Sequence, residues 1–494
     1  MATSFNDIPA TRVQGQYAEF AEGAPSGLSL LRYKALSIGQ ATDAGTKPVD
    51  ELNSVKNADQ SATFWGRGSM LHRQAIAFFA NNTNNEFTQI AVSKDPIAVA
   101  TSKSVGEIQF TAAATADGEL VVYIAGERIA VTISSGDSVS DMSAALAAEI
   151  AASHPNLPVK STDDTVDTVD FEALNLGVNG DDIDIRLNYN VGEELPAGVA
   201  VTIVAMNAGA ATPALTSLIT ALGDTWFQLW TSPYVDATNL LAIETELDRR
   251  FLPVQQIDGV HFSFKADTAS NLVTWGSSEN SKQSSVAGMY GSPTEPVQIA
   301  AAVMAKWAQM LSTGNGAESK PAQTMALVGV LAPKDTDKFT FTERDSLLNN
   351  GVATIKADDA GTVRIERSIT TYQKNAASAV DLTWLDVNTR FTAMFIRWDW
   401  VNYIGAKYPQ AKLGDDTKRV GGGQKIMTPA VGRSEAVARF ALWESVALVE
   451  DEDFFKANLI SERNISDVNA MDWFLPCDFV NQFRVGKTQI EINL

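Results

Sequence analysis

Apolar residues change their spacing along this chain, and each change marks a different kind of element. Over residues 1–30 they have no helical period. Pro9, Gly15, Gly23, Pro25 and Gly27 punctuate the stretch, and Val13 and Tyr17, with Gly15 between them, share one face at strand spacing. So open a segment has too little apolar surface to fold alone and reads as an extended arm, ordered by packing on something else. Leu28 to Ile38 is strand-like. Arg67 to Ala80 reads as a helix, with Met70, Leu71, Gln74, Ile76 and Phe78 near helical spacing.

The pattern then shortens. Ile108–Phe110, Leu120–Ala125 and Arg128–Ile133 are brief β runs separated by the turn pairs Asp117-Gly118 and Gly126-Glu127. Ser138 and Asp141 have capping-box spacing before a helix that sets Met142, Leu146 and Ile150 on one face. This predicts an inserted β-rich module. Strand-like Val199–Ala205 reads as the return to alternating strands and helices. Trp226–Trp230, Gly259–Phe264 and Ala326–Leu331 are expected strands. Thr238–Phe251, with Leu241, Glu244, Leu247 and Phe251 on a row, and Pro296–Leu311 are expected helices. Alternation of this kind predicts a sheet flanked by helices.

Thr342 and Asp345 read as a second capping box, and Asn350-Gly351 as the stop of the helix they open. Val352–Ile355 and Val363–Thr370 predict a hairpin across Asp358–Gly361. Asp386–Tyr408 carries Val387, Phe391, Met394, Phe395, Trp398 and Val401 down one stripe, and Ser434–Val449 predicts another helix. In Thr488–Leu494 the apolar Ile490, Ile492 and Leu494 alternate with polar residues, which is strand spacing. A strand needs partners for its backbone groups. It finds them in the last domain's own sheet, or in a neighbouring molecule by β-augmentation; the sequence leaves both open.

The fold class expected is therefore α/β and α+β multidomain. The divisions are an N-terminal arm at 1–30, an α/β middle domain at 31–91 and 199–355, an inserted β-rich outer module at 92–198, and a C-terminal domain at 356–494 ending in the strand arm. A chain of 494 residues exceeds one compact core.

Charge and chemistry narrow the function. The net charge is -21 and the pI about 4.6, which disfavours direct nucleic-acid contact and suits a subunit made soluble in many copies. Cys477 is the single cysteine, so no internal disulfide or Cys-based metal cluster is expected. Met1–Pro9 lacks a signal-peptide pattern, and no apolar run has the length of a membrane span. His72, His154 and His261 lie far apart without metal or triad spacing. Gly421-Gly422-Gly423 lacks the P-loop Lys-Ser/Thr, and Asp181, Asp182 and Asp184 depart from EF-hand spacing. No catalytic residue, cofactor or metal is expected. Between Ser161 and Ile185 there are only acidic charges, read as a solvated face. Between Lys407 and Arg433 the sign reverses, with Lys412, Lys418, Arg419 and Lys425 among the cations. That segment is either a contact for an acidic partner or a mobile surface loop.

Three segments in order resemble a known family. They are Ser4-Phe5-Asn6-Asp7-Ile8-Pro9 with Tyr17-Ala18-Glu19-Phe20; the run Thr342-Glu343-Arg344-Asp345-Ser346-Leu347-Leu348-Asn349-Asn350-Gly351-Val352-Ala353-Thr354; and Arg367-Ser368-Ile369-Thr370-Thr371-Tyr372 before the helix from Trp384. Together they resemble the tail sheath proteins of Mu-like contractile-tailed phages. The resemblance implies an inner α+β domain built from both chain ends, with outer domains inserted between them. It implies a subunit that polymerises helically around the tail tube and contracts to drive the tube through the host envelope. Its partners would be further copies of itself, the tail tube protein, the baseplate and the tail terminator, without direct nucleic acid or membrane contact. Its place would be the virion, with assembly in the host cytoplasm. On this reading Val13, Tyr17, Phe20, Ile490, Ile492 and Leu494 belong to inter-subunit strand arms, and Lys412, Lys418, Arg419 and Lys425 are candidate tube-facing residues. The alternatives are the sheath of a related injection or secretion machine, and an α/β hydrolase-type enzyme in which His261 meets a nucleophile and a carboxylate.

Overall fold

The structure, a computed structural model, describes residues 28–92, 102–416 and 425–492. Its largest sheet begins with β1 (Lys34–Gly39), β2 (Asn53–Val55) and β3 (Glu86–Ala91), with helices α1 (Ala58–Trp65) and α2 (Met70–Asn81) between β2 and β3. α2 starts three residues after the expected Arg67, because the Ser69 side chain accepts from the His72 amide and fixes the first turn there.

The chain then leaves this sheet for β4 (Val105–Ala112), β5 (Gly118–Ile124), β6 (Glu127–Ile133), α3 (Val139–Ser153), β7 (Val159–Asp163), β8 (Thr168–Ala173), β9 (Ile185–Leu187) and β10 (Ala200–Asn207). These make two small sheets, in the orders β10-β4-β8-β7 and β6-β5-β9. Their own core includes Phe110, Leu120, Val122, Met142, Leu146 and Phe171. The Ser138–Asp141 capping box opens α3 as expected. Two expectations change. Val199–Ala205 is a strand, but it lies in β10 and pairs with β4, so the return to the large sheet comes after residue 207 and not at 199. Asp181 and Asp182 end a 3-10 turn and do not begin the strand. The inserted stretch docks on the first unit largely through backbone groups. Asn175 accepts from the Met70 amide at 2.8 Å and donates to the Ala41 carbonyl at 3.1 Å, and Gln40 exchanges two hydrogen bonds with the Leu176 backbone.

The large sheet resumes with α4 (Thr216–Leu222), β11 (Leu229–Thr231), α5 (Ala237–Phe251), β12 (Val260–Ala266), α6 (Ala269–Ser278), β13 (Ser284–Met289), α7 (Pro296–Leu311), α8 (Phe341–Asn349), β14 (Ala353–Ala357) and β15 (Val363–Arg367). The strand order is β15-β14-β13-β12-β11-β1-β3-β2, parallel from β14 to β3 and antiparallel at both edges. α7 is largely apolar and buried, with Gln298, Lys306 and Gln309 half-buried along one side, and it packs on α2 and β12. Its alanines Ala300, Ala301, Ala302, Ala305 and Ala308 let the neighbours approach closely. The hairpin β14–β15 forms as expected, and it joins this sheet across the expected 355/356 division. Ala326–Leu331 is not a strand. A single bridge, Ala326 to Arg364, with amide bonds from Thr324 and Leu327, covers the β15 edge. The cap of α8 lies two residues before the expected one. Thr340, not Thr342, closes the box with Glu343, whose carboxylate accepts from the Thr340 amide at 2.7 Å. Asn350 caps its end and Gly351 follows at φ 75°, as the Asn-Gly pair predicts.

The last unit holds α9 (Val387–Lys407), β16 (Lys412–Leu413), β17 (Ile426–Met427), α10 (Pro429–Ser445), β18 (Val449–Glu450), α11 (Glu452–Asn458), β19 (Ile460–Arg463), β20 (Met471–Phe474) and β21 (Asp478–Phe479). Val387, Phe391, Met394 and Phe395 of the α9 stripe are buried, whereas Val401 is 46% exposed. Leu28, near the start of the described chain, packs with Phe395, Phe440, Trp443 and Phe455 of this unit. α9 is also held to the large-sheet unit. The Phe251 ring carries the cations of Lys282, Arg390 and Arg397 at 4.2, 4.6 and 4.9 Å from its centroid, and Arg397 pairs with Asp258.

Candidate assembly surface

After β21 the chain runs back toward the start of α9. The Val480 amide donates to the Leu448 carbonyl at 3.2 Å. The Arg484 guanidinium then reaches Asn388 Oδ1 and Asp386 Oδ1, both at 3.0 Å. Beyond that anchor, residues 485–492 belong to no strand. Ile490 and Ile492 are 81% and 80% exposed, and Phe483 and Val485 are exposed as well. The strand expected at Thr488–Leu494 therefore finds no ladder in its own chain among the described residues. Leu494 lies outside them, as do Val13, Tyr17 and Phe20 of the N-terminal arm.

The last unit offers short ribbons to such a segment. β19 pairs antiparallel with β20 and β18 with β21, and each pair is two-stranded. The edges of so small a sheet accept further strands. One face of β19–β20 packs inward: the Ser461 hydroxyl donates to the Pro429 carbonyl, and Trp473 meets Trp400 edge-on at 5.8 Å. The other face shows Ile460 opposite Phe474, 48% and 57% exposed, beside the facing carboxylates Glu462 and Asp472.

Of the candidate cations, Lys412 sits in β16 and Lys425 directly precedes β17, so the β16–β17 pairing brings them to one ribbon. Lys425 Nζ donates to the Lys407 carbonyl at 3.0 Å. Lys418 and Arg419 lie outside the described residues, as does Gly421-Gly422-Gly423. Part of the local positive charge is used internally. Lys407 pairs with Glu435 at 2.6 Å and Arg433 donates to the Leu459 and Lys456 carbonyls, whereas the segment's own Asp415 is met by Arg463 from outside it at 2.9 Å.

The three histidines stay apart. The Gly68 amide donates to His72 Nδ1 at 3.0 Å, and burial lowers that imidazole to about 4. His154 Nδ1 lies 2.6 Å from Glu127. His261 does meet a hydroxyl, with Ser232 Oγ 2.9 Å from Nε2, and Ser284 Oγ lies 3.4 Å from Nδ1. Among the described residues no carboxylate pairs with its ring. His261, Ser232 and Ser284 are all at 0% exposure inside the sheet, and burial pushes the imidazole down to about 3. The group is a sealed polar layer between β11, β12 and β13. The crevice of about 370 Å³ beside Met289, Arg344 and Lys356 is lined by other residues.

The acidity is unevenly distributed. Residues 102–207 contain seventeen Asp and Glu against four Lys and Arg, so this inserted stretch carries -13 of the chain's -21. Asp163, Asp164, Asp167, Asp170 and Glu172 stand on β7, β8 and the turn between them, and Lys103 pairs with Glu172 at 2.9 Å. Sequence reasoning missed β19, β20 and the anchor at Arg484. Met471-Asp472-Trp473-Phe474 has too short an alternation to stand out, and nothing local links Arg484 to Asn388.

A family model described as the phage tail sheath protein central domain matches residues 208–371. The Mu-like prophage FluMu tail sheath protein of Haemophilus influenzae is 31% identical over 496 residues, covering 100% of both chains. Among solved structures, the sheath tail protein of Desulfitobacterium hafniense is similar with a TM-score of 0.46 and 11% identity, over 94% of this chain and 100% of that one. The PVC sheath complex of an extracellular contractile injection system, in its contracted state, has a TM-score of 0.49 and 11% identity, over 99% of both.

Proposed function

We propose, from the premise that this chain belongs to the phage tail sheath family, that its two ends are the couplers of a helical sheath around a tail tube. The protein is a structural subunit of a contractile phage tail, and so a part of the virion. The full-length likeness to a prophage tail sheath favours a phage tail over a related injection machine.

The observation that carries the coupling is the pair Ile490 and Ile492, apolar, alternating and four-fifths exposed on a segment outside any sheet. Apolar strand-spaced residues left in water at a chain end lower their free energy by completing another sheet. The two-stranded ribbons of the last unit offer edges of matching kind, and the N-terminal arm with Val13, Tyr17 and Phe20 supplies the second connection. A head-to-tail contact whose rotation does not close propagates as an open helix. The ribbon bearing Lys412 and Lys425, with Lys418 and Arg419 between them, is the contact for the tube. The baseplate and tail terminator bind the two ends of the polymer. During contraction, connections through terminal segments hold neighbours together while the folded units move.

Negative-stain electron microscopy of the intact chain beside one lacking residues 488–494 tests this. Long hollow tubes from the first and dispersed particles from the second are expected. Tubes from both would remove the C-terminal segment as a coupler.

A further inference from the structure

The roots of the two ends meet inside one subunit. Tyr33, five residues into the described chain, is 3% exposed and donates its hydroxyl to Glu318 Oε1 at 2.6 Å. Glu318 is 2% exposed, with its second oxygen unpartnered, and sits in the short turn Ala317–Ser319. Asn388, in the first turn of α9 and 1% exposed, donates its amide to the backbone carbonyls of Glu318 and Lys320. The same side chain accepts from Arg484 Nη2 at 3.0 Å. Arg484 also pairs with Asp386, which holds Arg367 on the other side.

We infer that Asn388 is a positioning residue that joins the roots of the N-terminal and C-terminal segments into one mechanical unit. A planar amide cannot reorient for one neighbour without disturbing the other. Its donor end is committed to the turn that anchors Tyr33, and its acceptor end to Arg484. Displacement of Leu28–Tyr33 therefore has a route to Arg484 through the turn 317–320 and one side chain, beside the direct path from Tyr33 into β1. The role rests on the reading of the ends as couplers. Under it, tension between a subunit's neighbours has a path across each subunit through this node as well as through the sheet.

Limited trypsin digestion of the full chain, followed by mass spectrometry, reads the two roots separately. Cleavage after Arg32 reports the N-terminal root. Cleavage after Arg484 requires that side chain to leave Asn388 and Asp386 and reports the C-terminal root. Tyr33→Phe removes only a hydroxyl and is expected to accelerate cleavage after Arg484 about fivefold, and Arg484→Gln to accelerate cleavage after Arg32 similarly. Asn388→Asp keeps the acceptor for Arg484 but loses the donor. It should speed cleavage after Arg32 while leaving the site at Arg484 slow. If Tyr33→Phe leaves cleavage after Arg484 unchanged and Arg484→Gln leaves cleavage after Arg32 unchanged, the coupling is wrong. Tube formation, scored on the same variants, is a separate reading. A wild-type chain that forms no tubes counts against the couplers, and the digestion rates still decide whether the two roots are linked.

Discussion

Both carboxylate oxygens of Asp399 on α9 receive the guanidinium of Arg439 on α10, with Arg439 Nε 2.6 Å from Oδ2. Trp443 Nε1 donates to the same oxygen at 2.7 Å, and the two charged residues are 1% and 5% exposed. This buried fork fixes the crossing of the two longest helices of the last unit.

Asp399→Ala should therefore destabilise the chain by about 3–5 kcal/mol, because Arg439 is left charged and unpaired in the core. Replacing both partners, with Asp399→Leu and Arg439→Met, should cost much less. Urea denaturation of the three variants measures the difference.

The capping of α8 gives a position-specific test. Thr340→Ala should cost about 1 kcal/mol, since it removes the acceptor for the Glu343 amide. Thr342→Ala, at an exposed site inside the first turn, should change stability by less than about 0.5 kcal/mol. Thermal unfolding of the two variants compares them directly.

Glu244 sets a pH dependence. Burial raises its carboxyl from 4.5 to about 7, and the nearby hydroxyls of Ser284 and Ser281 offset this only in part. The folded state thus prefers the protonated acid. Its contribution is fully present below 4.5 and is lost as pH rises through about 7. The midpoint of thermal unfolding should fall between pH 5 and pH 8, and Glu244→Gln should flatten that fall.

Ile490→Asp with Ile492→Asp should leave the stability of the isolated chain within about 0.5 kcal/mol, because both residues are already in water. The same pair of changes should abolish tubes. Circular dichroism melts and electron microscopy of one preparation give both results.

What could be read from the sequence follows periodicity. Pro296–Leu311 keeps its predicted bounds because proline starts it and its apolar run is continuous. The hairpin β14–β15 and the Ser138 cap were equally plain. β13 escaped notice because Ser284-Ser285-Val286-Ala287-Gly288-Met289 is buried on both faces and so does not alternate. The partner of β10 was hidden because a strand's spacing says that it pairs, not with what. The alternation of Ile490 and Ile492 was visible, but its exposure was not, since spacing alone does not tell a home sheet from a neighbour's. The node at Asn388 joins residues 33, 318, 388 and 484, and contacts of such sequence separation leave no local pattern.

The inserted stretch between β3 and α4 has a hydrophobic core of its own. The chain crosses into it after Val92 and back out after Asn207, so two backbone passages are all the covalent attachment it has. Much of its docking runs to backbone groups at Ala41, Met70 and Ala332, which any side chain in those places would still present. For a gene, such a stretch is a cassette. It can be traded for another with similarly spaced ends while the large sheet keeps its sequence, and this stretch can diversify faster than the rest of the chain.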